Sequence, residues 1–186
     1  PETEKGLNKI NLDIQKNEIL GLIGSNGSGK TTLAKLILGL LKPIKGKIKL
    51  HGKEIRKYNT KERAKHIGYV TQDPIDMFFE ESLIKEVAFG PKCLGYKNPE
   101  EIAKKTLDKL NLLKFKDKHP DSLSGGQKSL LGIGDILANN PDIILLDEPE
   151  FGLDPINWHK IVNVIKELQK QGKTIIVITQ DLEKSM

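Results

Sequence analysis

No part of this sequence limits the possible folds as strongly as residues 24–31, which read Gly-Ser-Asn-Gly-Ser-Gly-Lys-Thr. The spacing of glycine, lysine and threonine satisfies the phosphate-binding P-loop pattern, which joins a strand to a helix. Glycines permit backbone conformations in which successive N–H groups face phosphate oxygens, and the positive end of the following helix dipole favours the same anion. We therefore predict a strand–loop–helix unit with Lys30 on the β- and γ-phosphates and the Thr31 hydroxyl on Mg²⁺.

Apolar runs elsewhere in the chain predict an α/β fold with a mostly parallel sheet. Residues 18–23 form a short strand before the glycine loop, and residues 31–41 are expected to be the helix after it. Residues 67–71 are a further strand candidate. The aliphatic runs 143–146 and 175–178 are typical of strands that are covered on both faces.

Two regions depart from the alternation of strands and helices that an α/β fold requires. Residues 47–50, followed by His51 and Gly52, predict a small antiparallel hairpin with a basic outer face. Between residues 76 and 120, apolar residues recur at helical spacing (Ile102, Leu107, Leu110, Leu113), which predicts an inserted helical subdomain. Residues 1–75 and 121–186 are then the nucleotide-binding core.

A pair of acids follows the aliphatic run at 143–146. Parallel strands deliver their carboxyl ends to the ligand crevice, so Asp147 is expected to assist Mg²⁺ coordination. Glu148 is expected to face the γ-phosphate and to orient, or accept a proton from, the attacking water. Without the glycine loop, a solvated acid pair that closes a strand would explain these two residues nearly as well.

Composition adds a few limits. The 186 residues fit one domain with a hydrophobic core, and the net charge of +5 comes from scattered lysines that a solvated surface explains. Cys93 is the only cysteine, so an internal disulfide and a cysteine-rich zinc site are excluded, and we expect Cys93 in a small subdomain core. The four histidines (His51, His66, His119, His159) show no metal-ligand spacing, so surface or interface roles are expected. Tyr69 and Trp158 are expected to pack.

No apolar run approaches the length of a membrane span, so any action at a membrane requires a partner. The chain begins at Pro1 without an initiator methionine and ends soon after a strand, so we interpret it as a fragment with residues missing at both ends.

The pentapeptide Leu-Ser-Gly-Gly-Gln at residues 123–127 resembles the signature motif of ATP-binding-cassette (ABC) proteins. It stands about two dozen residues before Asp147, as that family places it. The resemblance implies a P-loop NTPase fold with a RecA-like core and a head-to-tail dimer, in which the signature of one subunit covers the ATP held by its partner's P-loop. The expected nucleotide-binding residues are Ser25, Asn26, Gly27, Ser28, Gly29, Lys30, Thr31, Thr32, Ser124, Gly125, Gly126 and Gln127.

The same resemblance assigns further residues. Gln72 matches the Q-loop glutamine, which contacts Mg²⁺ or water and links to the transmembrane partner. Residues 152–154 match the D-loop, which crosses the dimer interface. The implied catalytic residues are Glu148, Gln180 and Gln72, the implied Mg²⁺ ligands are Thr31, Gln72 and Asp147, and the implied cofactors are ATP and Mg²⁺.

A narrower resemblance comes from Gln72-Asp73-Pro74, Phe79, the block at residues 87–91 and Leu94-Gly95. These residues resemble the energy-coupling-factor and cobalt-type import ATPases, which serve vitamin and transition-metal uptake. The resemblance implies a second ATPase subunit, identical or different, a transmembrane coupling subunit and a substrate-capturing membrane subunit. It also implies a peripheral position on the cytoplasmic face of the membrane and no nucleic-acid partner.

Gln180 departs from the family pattern, because a switch histidine usually stands at this position. Glutamine donates an amide hydrogen but never a proton, so slow turnover or one weak site of an unequal pair is expected. Two alternatives therefore stay open: a non-transport ATPase acting on ribosomes or nucleic acid, and a slow nucleotide-sensing subunit. The aromatic residue that stacks on adenine in the family would fall upstream of Pro1.

Overall fold

The computed structural model describes residues 6–73 and 77–180. Pro74 of the importer-like block and Asp181, which follows Gln180, lie outside the described residues. The strands are β1 (Ile19–Ile23), β2 (Lys49–Leu50), β3 (Lys53–Glu54), β4 (Ile67–Val70), β5 (Ile143–Asp147) and β6 (Thr174–Thr179). The helices are α1 (Lys30–Ile37), α2 (Thr60–His66), α3 (Leu83–Leu94), α4 (Pro99–Lys109), α5 (Gly125–Leu137) and α6 (Pro155–Lys170).

Four strands form one parallel sheet in the order β1-β6-β5-β4. Its register pairs Ile19 with Ile175 and Ile67 with Ile143, so all four strands end on the same side. Every residue of β6 is buried, as expected for a central strand with helices on both faces. The predicted α/β fold with a parallel sheet is confirmed.

β1 and β4 are the two edge strands of the sheet, and the burial of β1 differs from that of the central strand β6. The side chains of Ile19 and Ile23 are 41% and 46% exposed. Alternate residues of β1 are therefore accessible, whereas the other edge strand, β4, is mostly buried and contacts α2 and α5.

Helix α1 is shorter than predicted, because it ends at Ile37 and not near Leu41. Gly39 adopts a left-handed backbone conformation with φ of 68°. The N–H of Leu40 donates to the carbonyl of Lys35, and the N–H of Gly39 donates to that of Leu36. This pair of bonds is the Schellman motif, in which a glycine ends a helix at no steric cost. The spacing of apolar residues does not report this motif, so it did not predict where α1 ends.

The predicted hairpin is present as β2 and β3, joined by His51 and Gly52. Both turn residues have positive φ, at 49° and 78°. Two-residue turns of this kind match the right-handed twist of the strands. The turn therefore places the His51 side chain at the tip of a tight, defined loop.

Helices α3 and α4 pack together in the helical region. Their core consists of Leu83, Val87, Ala103 and Leu107, and it also includes Leu131 from α5. The packing therefore continues past residue 120, and the division of the chain at residues 76–120 stays a prediction. Cys93 is exposed, so the expectation that it is buried in this core is wrong. Its neighbours Pro91 and Leu94 occupy the buried face of α3, which turns Cys93 toward solvent.

Trp158 packs against the cluster of apolar residues beneath α6, as expected. Among the described helices, none combines the length and the apolarity that a bilayer crossing requires.

Candidate active site

The polar residues singled out in the sequence meet at one edge of the parallel sheet. The glycine loop follows β1, Gln180 follows β6, Glu148 follows β5 and Gln72 lies two residues after β4. Because the strands lie in the order β1-β6-β5-β4, these four segments are neighbours in space. The carboxyl edge of a parallel sheet is where ligands of α/β proteins bind.

The glycine loop has the conformation that its sequence predicts. Gly27 and Gly29 have φ of 78° and 96°, which only glycine adopts without strain. A side chain at Gly24 would lie 2.8 Å from the Ser28 hydroxyl oxygen, whereas a side chain at Gly27 would meet nothing within 4 Å. The loop is therefore tight on its inner side and open at Gly27.

Lys30 turns back over this loop. Its Nζ atom donates to the carbonyl oxygens of Gly24 at 2.6 Å and Ser25 at 3.1 Å. These bonds hold the ammonium group in the concave side of the loop, where an anion could replace the carbonyl partners. A phosphate offers Lys30 a charge-assisted hydrogen bond, which is stronger than a bond to a neutral carbonyl.

An open cleft of about 340 Å³ lies beside the loop. It combines loop and helix residues with three polar side chains from the ends of the other strands. The lining residues are Asn26, Gly27, Gly29, Lys30, Thr31, Thr32, Gln72, Glu148 and Gln180. The structure thus brings together most of the predicted P-loop residues and all three predicted catalytic residues.

Glu148 lies at the centre of the three polar side chains. Its Oε2 accepts a hydrogen bond from Gln72 Nε2 at 2.9 Å, and its Oε1 accepts one from Gln180 Nε2. The Glu148 backbone has a left-handed φ of 48°, and its N–H donates to the carbonyl of Ile178 at 2.8 Å. This uncommon conformation ends β5 sharply and directs the carboxylate into the cleft.

Asp147 is buried, with 6% of its surface exposed. Its Oδ2 accepts a hydrogen bond from the Tyr69 hydroxyl at 2.9 Å. Burial and the nearby Glu148 charge raise the pKa of Asp147, and the Tyr69 hydrogen bond and the Lys30 charge only partly oppose them. Burial also raises the pKa of Tyr69. The Tyr69 side chain packs as expected and also orients Asp147. The hydrogen bond was not predicted, because no spacing rule links residues 69 and 147.

The donor set fits Mg²⁺. Thr31, Asp147 and Gln72 offer hydroxyl, carboxylate and amide oxygens, which are the hard ligands that this ion prefers. Gln72 uses its amide nitrogen to contact Glu148, so its amide oxygen takes no part in that bond. The assignment of these three residues to the ion stays a prediction.

Glu150 is a neighbour of the site that the sequence did not single out. Its Oε1 accepts a hydrogen bond from the Thr179 hydroxyl, while its Oε2 is buried and has no hydrogen-bond partner among the described residues. Glu150 lines a second cleft beside the first one. The two clefts share the lining residues Asn26, Gln72, Glu148 and Gln180. A carboxylate so close to Glu148 adds negative charge to this side of the site.

The signature-like segment caps helix α5. The Ser124 N–H donates to Gln127 Oε1 at 2.9 Å. The side chain at the third helical position therefore provides the hydrogen-bond acceptor for the backbone N–H of the residue that caps the helix. A side chain at Gly126 would lie 2.5 Å from Asn157 Cγ, whereas one at Gly125 would meet nothing within 4 Å. None of residues 124–127 lines either of the two clefts. The structure therefore does not bring this segment to the P-loop of its own chain.

The D-loop-like segment leads into α6. Asp154 caps this helix, because its Oδ1 accepts the Asn157 N–H at 2.9 Å. That backbone hydrogen bond is the main reason why the pKa of Asp154 is lowered. The apolar side chains of Phe151 and Ile156, on either side of the cap, are 59% and 72% exposed.

Comparison with known proteins agrees with this geometry. The family model for ABC transporters matches residues 7–150. An energy-coupling factor transporter ATP-binding protein, EcfA, of Methanocaldococcus jannaschii is 40% identical over 188 residues, which cover 98% of this chain and 67% of that protein. A putative ABC transporter ATP-binding protein of Pyrococcus horikoshii is 46% identical over 167 residues, which cover 88% of this chain and 64% of that protein. The chain therefore spans just under two thirds of the length of this relative.

Solved structures show the same fold. CbiO1 from Clostridium perfringens, part of the ABC transporter complex CbiONQ, matches with a TM-score of 0.83 and 36% identity over 95% of this chain and 72% of that one. The ATP-binding cassette MJ0796, a dimer in a post-hydrolysis state with ADP and Pi, matches with a TM-score of 0.85 and 30% identity over 96% of this chain and 82% of that one. The chain therefore belongs to the ABC transporter family and has the P-loop fold of the ABC ATPases.

Proposed function

We propose that this chain binds and hydrolyses ATP in an importer of the energy-coupling-factor type, as one half of a head-to-tail dimer. The position of Glu148 carries the proposal, because its carboxylate stands at the mouth of the glycine loop between two side-chain amides. A carboxylate with oriented hydrogen bonds beside a phosphate loop is suited to positioning a water molecule for attack on the γ-phosphate.

Each residue of the site has its own role in this proposal. Lys30 exchanges its carbonyl partners for β- and γ-phosphate oxygens, and the open backbone around Gly27 surrounds the phosphates with N–H groups. Thr31, Asp147 and Gln72 hold Mg²⁺, which neutralises charge on the phosphates when it is bound. Glu148 then holds the attacking water and accepts its proton.

The dimer is proposed because the chain has a second phosphate-seeking helix end that its own cleft does not use. Helix α5 begins at Gly125, where the space above the backbone is open. Phe151 and Ile156 expose apolar surface beside the D-loop-like segment. The related cassette MJ0796 is a dimer bound to ADP and Pi, which supports the same arrangement here.

Transport is proposed from the helical region and from the relatives. Phe79 and Phe89 are 64% and 41% exposed and contact each other edge to face at 4.7 Å between ring centroids. Such an aromatic surface suits an apolar helix of a membrane partner, which would hold the chain on the cytoplasmic face. The relatives EcfA and CbiO1 are themselves transporter subunits.

A second candidate function, a slow nucleotide sensor, is supported by the contact between Gln180 and Glu148. The Gln180 amide donates a hydrogen bond to Glu148, the proposed base, and thereby occupies one of its oxygens, but it cannot transfer a proton. Nucleotide would then drive dimer closure with little turnover.

The first test is ATP affinity in the presence of Mg²⁺, measured by calorimetry on the parent protein and on Lys30→Ala. We expect a loss of about 10–100-fold, the value of a charge-assisted hydrogen bond. Lys166→Ala on the exposed face of α6 is the control and should retain full affinity. Equal affinity of Lys30→Ala and the parent would refute ATP binding at this loop. Co-purification with ribosomes, and not with a membrane protein, would refute the importer assignment alone.

A further inference from the structure

Three metal-ligating side chains meet on the surface, away from the candidate active site. They are His51, His66 and Asp142, and their ligand atoms lie within 4.8 Å of one another. Asp142 Oδ2 is 2.8 Å from His66 Nδ1 and 3.3 Å from His51 Nε2. The histidines show no metal-ligand spacing in the sequence, because these three residues come from distant parts of the chain.

The fold explains why these residues meet. His66 is the last residue of α2 and directly precedes β4, while Asp142 directly precedes β5. Since β4 and β5 are paired in parallel with Ile67 opposite Ile143, the two preceding residues are also neighbours. The Asp142 N–H donates to the His66 carbonyl at 3.1 Å, which fixes their spacing.

His51 reaches the pair from the tip of the hairpin. Its backbone φ of 49° belongs to the tight turn that reverses the chain between β2 and β3. The His51 and His66 rings lie edge to face, 5.1 Å apart. All three side chains are about one third to one half exposed, so an ion could reach them from solvent.

We propose that His51, His66 and Asp142 form a binding site for a divalent transition-metal ion of the zinc type. Two imidazole nitrogens and one carboxylate oxygen are ligands that Zn²⁺ accepts, at about 2.0–2.2 Å each. Four ligands at such distances in a tetrahedron lie roughly 3.3 Å apart. Two of the three separations, the Asp142 hydrogen bonds of 2.8 and 3.3 Å, are close to this spacing, and all three ligand atoms lie within 4.8 Å of one another. Side-chain shifts that replace these hydrogen bonds by bonds to the ion would complete the site. Water would complete the coordination.

The site is distinct from the proposed Mg²⁺ position. It lies at the amino ends of β4 and β5, whereas Asp147 ends β5 at the opposite edge of the sheet. Asp147 is five positions after Asp142 along extended chain, which corresponds to roughly 16 Å. The ligands also differ in kind, because imidazole favours zinc, copper or nickel over magnesium.

Two lysines lie near the cluster. Lys173 Nζ donates to Asn140 Oδ1 at 2.7 Å and also interacts with the charge of Asp142, while Lys53 Nζ lies over the Tyr58 ring at 4.3 Å. The Tyr58 ring packs edge to face against His66 at 5.7 Å. These contacts leave the Asp142 carboxylate facing the two imidazoles.

Metal binding would have a structural consequence. The ion would join the tip of the β2–β3 hairpin to the amino ends of the main sheet, two parts of the chain that are held in separate sheets. An ion that binds the folded protein and not the unfolded chain raises its thermal midpoint. Nucleotide binding, at the other edge, should change little.

The experiment titrates the full protein with Zn²⁺ by calorimetry, without nucleotide, in a Cys93→Ser background that removes the exposed thiol. The test variants are His51→Asn and Asp142→Asn. Asparagine adopts the left-handed conformation of residue 51 readily, so the hairpin should stay folded. His159→Asn, in the exposed part of α6, is the matched control.

We expect one site that weakens at least about 10-fold in both test variants and stays unchanged in the control. The thermal midpoint should rise with Zn²⁺ in the parent and control only, and Co²⁺ should give the visible absorption of a four-coordinate site in the same two proteins. ATP affinity should be equal in all four, which separates this proposal from the function proposed above. Equal Zn²⁺ affinity in all variants, or loss of the ion only in Asp147→Asn, would overturn the proposal.

Discussion

Glu148 and Gln72 are 76 residues apart in the chain, yet their side chains are joined by a hydrogen bond of 2.9 Å at the mouth of the glycine loop. Gln180 donates to the other oxygen of the same carboxylate. Two amides therefore orient the one acid that we propose as the base. Movement of either glutamine would change where Glu148 points.

Replacement of Glu148 by glutamine should lower the ATPase rate by about 10²–10⁴-fold, the usual contribution of a positioned base. ATP affinity should remain, because Lys30 and the loop backbone are unchanged. Steady-state phosphate release and equilibrium ATP binding are the two measurements. Glu167→Gln, an exposed acid on α6, should leave both unchanged. A Glu148→Gln protein as fast as the parent would remove Glu148 from the base role.

Gln180→His should raise the turnover of the assembled complex. The Gln180 amide donates a hydrogen bond to one oxygen of Glu148 but cannot transfer a proton, whereas histidine donates to the phosphate and can hold charge. The measurement is kcat for ATP in the presence of the membrane partner, compared with the parent at equal assembly. If the rate does not rise, the glutamine at position 180 does not limit turnover.

Replacement of each of the two adjacent glycines at the start of α5 by alanine should affect the stability of the protein differently. At Gly126, a methyl group would meet Asn157, whose side chain is held by Asp154 and Lys160. We expect a loss of about 1–3 kcal/mol in the free energy of unfolding, as for other overpacked sites. At Gly125 the space is open, so alanine should leave this free energy unchanged or slightly higher. Urea unfolding of the two variants compares them directly, and equal losses would contradict the close approach of α5 and α6.

Asp135 should make the stability of the protein depend on pH. Its Oδ1 is buried and has no hydrogen-bond partner among the described residues. Burial, together with the charge of Glu86, raises the pKa of Asp135 well above its ordinary value. The folded protein therefore keeps a proton that the unfolded chain releases near pH 4. Stability from this group is full below that pH and is lost as the pH rises toward the folded pKa.

Asp135→Asn removes this ionisation. We expect the variant to match the parent in acid and to exceed it at neutral pH by about 1.4 kcal/mol or more, the free energy that a tenfold change in proton concentration contributes through a shifted pKa. Thermal unfolding across the pH range provides the comparison. Glu167→Asn, on the exposed face of α6, is the control and should give a pH-independent difference. A constant difference for Asp135→Asn as well would contradict the raised pKa.

Much of the fold could be predicted because its signals are local. The glycine loop, the aliphatic strands and the His51-Gly52 turn depend on residues close together in sequence, and each was predicted in the right place. The end of α1 was not, because Gly39 acts through a hydrogen-bonding motif that apolar spacing does not report. Cys93 is exposed, although we expected it in the subdomain core, because burial on a helix depends on what packs against it.

The sequence by itself determined that this chain has a phosphate loop, an acidic strand end and an ABC-type signature, since each is a short run with its own backbone requirements. Only the tertiary structure decided which side chains share a site. The contact of Tyr69 with Asp147 and the cluster of His51, His66 and Asp142 arise from strand register and hairpin geometry. Register joins residues far apart in the chain, so no local pattern of residue types encodes these contacts.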